Sequence, residues 1–149
     1  MRNLSDSINE EKQMSKTIGY KRHSMREDRF EQQLQDVELD EVFEEVASGT
    51  TTDRAVFQQM LEFIKEGDTV IIHNLARLAR VRSVLYALIG MITERGVTLK
   101  FKAEELTLTG DMEDAASQLD EWQAQKFFGN GLGLLRETIK SGHGWRIYK

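Results

Sequence analysis

"TVIIH", residues 69–73, settles what kind of sheet this chain builds. Thr69, Val70, Ile71 and Ile72 are β-branched, and the run is apolar on both of its alternating faces. Such a run suits a strand covered on both sides, as in a parallel sheet whose crossover helices lie on each face. On its N-terminal side, "RAVFQQMLEFIKEG" (54–67) places Val56, Met60, Leu61 and Ile64 at helical spacing. Asp53 stands where it can cap that helix and Gly67 where it can end it. On its C-terminal side, "SVLYALIGMITERG" (83–96) reads as a helix closed by Gly96, and "VTLKF" (97–101) as a strand.

Further out the alternation continues. "TIGYK" (17–21) reads as a first strand, "RFEQQLQDV" (29–37) as a helix, and "EVFEEV" (41–46) as a second strand running into the turn-rich "ASGTTTD". Strands alternating with helices predict an α/β domain, with a mostly parallel central sheet flanked by helices. From Met112, the residues Ala115, Ala116, Leu119 and Trp122 recur as one stripe of a long helix, which then meets "FFGNGLGLL". A stripe of that size predicts a contact with a second copy, which makes this a long C-terminal dimerisation helix. The expected organisation is a flexible polar lead-in over 1–16, one domain over 17–110, and a long helix with a short basic tail over 111–149. That last span is too short for a separate helix-turn-helix domain.

Composition bounds the function. The 149 residues are 40% apolar, enough for a core, and no run approaches membrane-spanning length. The N-terminus lacks the apolar segment of a secretory signal, and there are no cysteines to form disulfides or thiolate metal sites. A cytoplasmic protein without membrane association is the expectation. The three histidines are too scattered for a metal motif. A net charge of −5 argues against nonspecific nucleic-acid binding, but the average hides an asymmetry. Residues 31–66 hold ten acids against two bases, whereas 71–102 hold six bases against Glu94 alone. Clustered cations are what an anion site needs.

Open α/β sheets place their sites beyond the carboxyl ends of the strands. Arg22 and Ser24 follow the first strand, Ser48 and Arg54 the second, Arg77 and Arg80 the third. Guanidinium groups are always charged and fork onto phosphate oxygens. A serine among them suits attack on a phosphodiester. Plainer roles stand beside this one. Ser24 and Glu27 have capping-box spacing, so Ser24 also fits a helix start. Arg77, Arg80 and Arg82 also fit a solvated helix face, and His23 and His73 fit packing or surface positions. "GNGLG" follows a helix rather than a strand, which favours a hinge over a nucleotide loop.

Taken in order, "IGYKRHS", "SGTTTDR", "GDTVIIHNLARLAR", "ERGVTLKF" and "TGDM" resemble the catalytic domain of serine recombinases, the resolvase/invertase family. That family reads GYxRxS, SGxxxDR, GDxLxVxxLDRLxR and RGV at these distances, and the resemblance covers roughly residues 17–112. It implies a site-specific DNA recombinase whose nucleophile, Ser24, forms a phosphoserine link to a 5′ end and releases a 3′ hydroxyl. Arg22, Arg54, Arg77 and Arg80 would surround the phosphate, with Gln33 and Ser48 in support. No metal and no cofactor is implied; the implied partners are DNA and a second copy, dimers pairing into tetramers. Three positions depart from the family pattern: Ala76 stands for its Asp, Ala79 for a Gly and Ala55 for a common Pro. "DEWQAQKFFGNGLG" also lacks the family's acidic-basic helix signature. A second reading is therefore a recombinase-like DNA-binding or regulatory protein with little or no cleavage activity. An unrelated α/β phosphate-binding domain would make the ordered motifs a coincidence.

Overall fold

A computed structural model describes residues 15–24 and 32–128. Five strands form one sheet: β1 (Thr17–His23), β2 (Glu41–Val46), β3 (Thr69–Ile72), β4 (Thr98–Phe101) and β5 (Leu106–Leu108), in the order β2-β1-β3-β4-β5. The first four are parallel, as the apolar run at 69–73 predicts, and β5 returns antiparallel to β4. β1 lies between β2 and β3, so the strand order reverses there. Ile18 and Tyr20 of β1, and Val70 and Ile72 of β3, are fully buried. Each fully buried aliphatic side chain stabilises the fold by about 1.5–3 kcal/mol.

The helices are α1 (Ala55–Phe63), α2 (Leu75–Leu78), α3 (Arg82–Thr93) and α4 (Met112–Phe128). α1 ends earlier than its sequence pattern suggests, because Ile64 is already extended. Gly67, at φ +96°, serves the turn into β3, a left-handed conformation that costs glycine little. The adjoining Asp68 carboxylate is buried and accepts from the backbone N–H groups of Lys16 and Lys65. Lys16, the last residue of the expected flexible lead-in, is therefore fixed to the sheet; residues 1–14 lie outside the described residues. Of the helix expected over 29–37, residues 29–31 also lie outside them. Gln32 is in a 3-10 turn and residues 33–36 form turns rather than an α-helix, with Leu34 at φ 57° and its side chain buried.

Asp53 does not cap α1. The N-terminal N–H groups of Val56 and Phe57 donate instead to the Glu45 carboxylate on β2, at 3.0 and 2.8 Å. A buried carboxylate there satisfies orphan donors and meets the positive end of the helix dipole.

Part of the stripe expected to meet a second copy packs on the chain's own core, while Met112 at its start is exposed. Ala115 and Leu119 are fully buried in the core cluster, with Trp122 half-buried against it. Two features permit this. Gly90 of α3 lets Met112 approach to distances a Cβ would forbid. The Gln118 side chain then brackets the Thr109 backbone, accepting from its N–H at 3.0 Å and donating to its carbonyl at 2.9 Å. The "GNGLG" hinge and the basic tail lie outside the described residues. Among the described residues no helix is long and apolar enough to cross a membrane.

Candidate active site

Ser24 emerges directly from the carboxyl end of β1, where the strand order reverses, and its side chain is exposed. Arg22, two residues earlier, is completely buried and extends under the same edge. Its Nη1 donates to Ser24 Oγ at 3.3 Å and to the Ala47 carbonyl at 2.9 Å. Its Nε donates to the Arg77 carbonyl at 2.9 Å and its Nη2 to the Ala76 carbonyl at 2.7 Å. One guanidinium thus ties the loops after β2 and β3 to the residue that follows β1. Burial, then the neighbouring Arg54 and Arg80 charges, push Arg22 down to about 10 from the ordinary 12.5. Charge-assisted bonds to carbonyls offset the cost of burying it.

Arg54 is buried as well. Its Nε donates to the Thr51 carbonyl at 2.9 Å, with longer contacts of 3.4 Å to the Tyr20 hydroxyl and the Ser48 carbonyl. Tyr20 in turn donates to Glu45 Oε1 at 2.7 Å. Burial, and next the bond to Glu45, raise the Tyr20 phenol above its ordinary value. Gln33 Nε2 donates to the Arg22 carbonyl at 3.1 Å. The Ser48 hydroxyl lies in the exposed turn after β2, 2.8 Å from Thr50 Oγ1.

Arg77 and Arg80 differ from the buried pair. Asn74 caps α2 by accepting from the Arg77 N–H at 2.8 Å, and the Arg80 N–H donates to the Gly49 carbonyl at 2.8 Å. Among the described residues only their backbones are held in this way. Arg77 is half-buried and Arg80 exposed, and both charges act on Arg22. The solvated-face interpretation therefore does not describe Arg77, Arg80 and Arg82 as one run. Arg77 lies on α2, Arg80 lies past its end, and Arg82 opens α3 against α4.

Of the sequence-predicted site residues, Arg22 touches Ser24 through its guanidinium and Gln33 and Arg77 through main-chain carbonyls, Arg54 reaches the Ser48 carbonyl, and Arg80 joins through its N–H on Gly49. Sequence reasoning did not identify Tyr20, Glu45 and Gly49. A signal for Glu45 exists in the two-residue period of β2, which puts it on the same inward face as Phe43. Among the described residues no three His, Cys, Asp or Glu side chains converge in a way that would hold a metal ion.

Ser24 and Arg22 at the end of β1, Arg54 after β2, and Arg77 and Arg80 after β3 stand at the switch point of a mostly parallel sheet, the place where open α/β folds take their ligands. Residues 17–128 match the family model described as Resolvase, N terminal domain. The chain is 40% identical over 94 residues to the Transposon Tn501 resolvase of Pseudomonas aeruginosa, covering 63% of this chain and 50% of that protein. It is 32% identical over 73 residues to the Serine recombinase gin of Escherichia phage Mu, covering 49% and 38%. The fold is similar to the N-terminal catalytic domain of TP901-1 integrase, with a TM-score of 0.56 and 21% identity over 76% of this chain and 95% of that one. The chain belongs to the family of the resolvase N-terminal domain. It spans half the length of the Tn501 relative.

Proposed function

We propose that this chain is a site-specific serine recombinase, cutting and rejoining DNA through a phosphoserine at Ser24. The observation that carries this is the exposed Ser24 hydroxyl, 3.3 Å from the buried Arg22 guanidinium, on which the Arg54, Arg80 and Arg77 charges also act. Ser24 Oγ loses its proton and bonds to phosphorus; the bond from phosphorus to the 3′ oxygen breaks, and that oxygen takes up a proton. The 5′ phosphate stays on the serine. Attack by a 3′ hydroxyl reverses the step, so the bond energy is retained without a metal or cofactor.

In this scheme the arginines divide the work. Arg77 and Arg80 meet the phosphate oxygens and stabilise charge in the transition state. Arg22 polarises Ser24 while clamping the loops, and Arg54 holds the turn after β2. Gln33 fixes the end of β1, and Ser48 lines the turn beside the phosphate. The catalytic unit spans 17–110 with α4 following it, acts as a dimer that pairs into tetramers, and works on DNA in the cytoplasm. Ala76, an exposed methyl where the family pattern has Asp, supports a second reading: DNA binding with slow or no cleavage.

The test is incubation of the purified chain with a supercoiled plasmid carrying the DNA that neighbours its coding sequence, followed by denaturation. Protein linked to 5′ ends is expected. Bound DNA without any adduct, from native protein at high concentration, would favour the second reading.

A further inference from the structure

Arg80 sits in a short extended link between two helices. Ala79 (φ −159°, ψ 155°) closes α2 and Val81 (φ −115°, ψ 131°) opens α3. One anchor of that link is the Arg80 N–H on the Gly49 carbonyl. The other anchor is Arg82, the first residue of α3, whose side chain crosses to α4. Its Nη2 lies 3.0 Å from Asp120 Oδ1, and its Nη1 donates to Gln123 Oε1 at 3.1 Å. The guanidinium also covers the Tyr86 ring at 4.5 Å from the centroid. The Tyr86 hydroxyl donates to the same Asp120 oxygen, and lies 3.3 Å from Gln123 Oε1.

Spacing makes this a two-by-two lock. Arg82 and Tyr86 are four residues apart on α3, Asp120 and Gln123 three apart on α4, so each pair shares one helix face. Arg80, Arg82, Tyr86 and Asp120 line one cleft of about 600 Å³. The buried Ala115 and Leu119 already seat the first half of α4. The polar lock therefore adds direction rather than bulk cohesion. A planar guanidinium that is both forked and stacked has little rotational freedom left.

We propose that Arg82 is a positioning residue: by gripping Asp120 and Gln123 it fixes the link that aims Arg80, so the seating of the long helix sets the geometry of the phosphate site. This rests on the assignment of Arg80 to the phosphate. A partner or DNA that shifts α4 would reach the site through this lock. A displacement of about 1 Å at a reacting centre costs on the order of 10²-fold in rate.

Two readouts on the full chain test it. The first is the Arg80 Nε–Hε resonance of the free protein, identified by its loss in Arg80→Lys. Asp120→Asn and Arg82→Met should shift or broaden it and leave the Arg54 resonance in place, and Asp120→Glu should restore it. The second is adduct formation on supercoiled plasmid. Asp120→Asn should lower its rate by about tenfold, a modest part of that 10²-fold range. DNA binding should be unchanged or tighter, because removal of a negative charge by itself favours DNA.

An unchanged Arg80 resonance in both folded variants overturns the inference, as does a shifted resonance with an undiminished adduct rate. If native protein forms no adduct, the functional reading fails, and the Arg80 resonance alone decides this inference. Should Asp120→Asn not fold, Tyr86→Phe removes one hydroxyl from the lock and gives a milder form of the same comparison.

Discussion

Gly49 and Arg80 meet at two points. The Arg80 N–H donates to the Gly49 carbonyl at 2.8 Å, and a Cβ on Gly49 would stand 2.8 Å from Arg80 Cγ. The same Cβ would lie 3.1 Å from Arg22 Nη2, which burial prevents from moving aside. The absence of a side chain at position 49 is thus what lets one exposed and one buried arginine share this edge. Gly49→Ala should displace Arg80 and lower adduct formation by about 10²-fold, the cost of misplacing a reacting group. The denaturation midpoint should move little. Single-turnover adduct assays beside urea denaturation check both halves.

Gly90 and Met112 form the corresponding contact between α3 and α4. A Cβ at position 90 would fall 2.5 Å from Met112 Cε and 2.7 Å from Cγ. Gly90→Ala should therefore cost about 1–3 kcal/mol through overpacking. That loss outweighs the ~0.5–1 kcal/mol that alanine gains over glycine inside a helix. Adding Met112→Ala should recover most of it, a non-additivity visible in a double-variant cycle of denaturation midpoints.

Alkaline stability should report the buried phenols. Burial first, and then the bond to Glu45 for Tyr20 or Asp120 for Tyr86, raise both phenols above their ordinary value of 10.0. The folded state therefore holds these protons more tightly than the unfolded chain. The stability this contributes is complete below about pH 10 and is lost as pH rises towards the folded values. Arg22 acts in the opposite direction, because its lowered value of about 10 makes the folded state release a proton first. Comparing Tyr20→Phe and Tyr86→Phe with the native chain isolates the phenol part. Each variant should lose stability less steeply above pH 10 in urea titrations.

Much of the fold was legible because local pattern and long-range packing agree. The runs at 17–21, 41–46, 69–73 and 97–101 are all strands, and α3 and α4 follow their helical spacing. What could not be read depends on contacts distant in sequence. β5 is only Leu106-Thr107-Leu108, too short to announce itself, and it exists through pairing with β4 after a turn with Glu105 at φ 52°. The cap of α1 comes from Glu45 on a neighbouring strand rather than from the adjacent Asp53. The apolar stripe of α4 signalled burial but not the surface that buries it. At the candidate site, residue types and their places after successive strands pointed to one edge. The split between structurally engaged Arg22 and Arg54 and the more accessible Arg77 and Arg80 depends on carbonyls that no side-chain motif records.

Ala76 offers a gain-of-function prediction. Its carbonyl helps hold Arg22, while its exposed methyl carries no charge to balance the arginines around Ser24. A carboxylate there could orient them and assist the serine proton, help worth about 10²- to 10⁴-fold in rate. Ala76→Asp should raise adduct formation and weaken DNA binding slightly, by placing a negative charge beside the phosphate. Adduct yield and anisotropy on one labelled duplex measure the two effects together; slower cleavage by the variant would assign the proton to another group.

The most direct test of the account is to trap the protein on supercoiled DNA, digest both components and locate the modified residue by mass spectrometry. The native chain should carry a nucleotide on Ser24, linked through a 5′ phosphate, and Ser24→Ala should yield no such peptide. That variant should remain folded and keep its DNA binding. A nucleotide on any other residue, or undiminished adduct from Ser24→Ala, would contradict it.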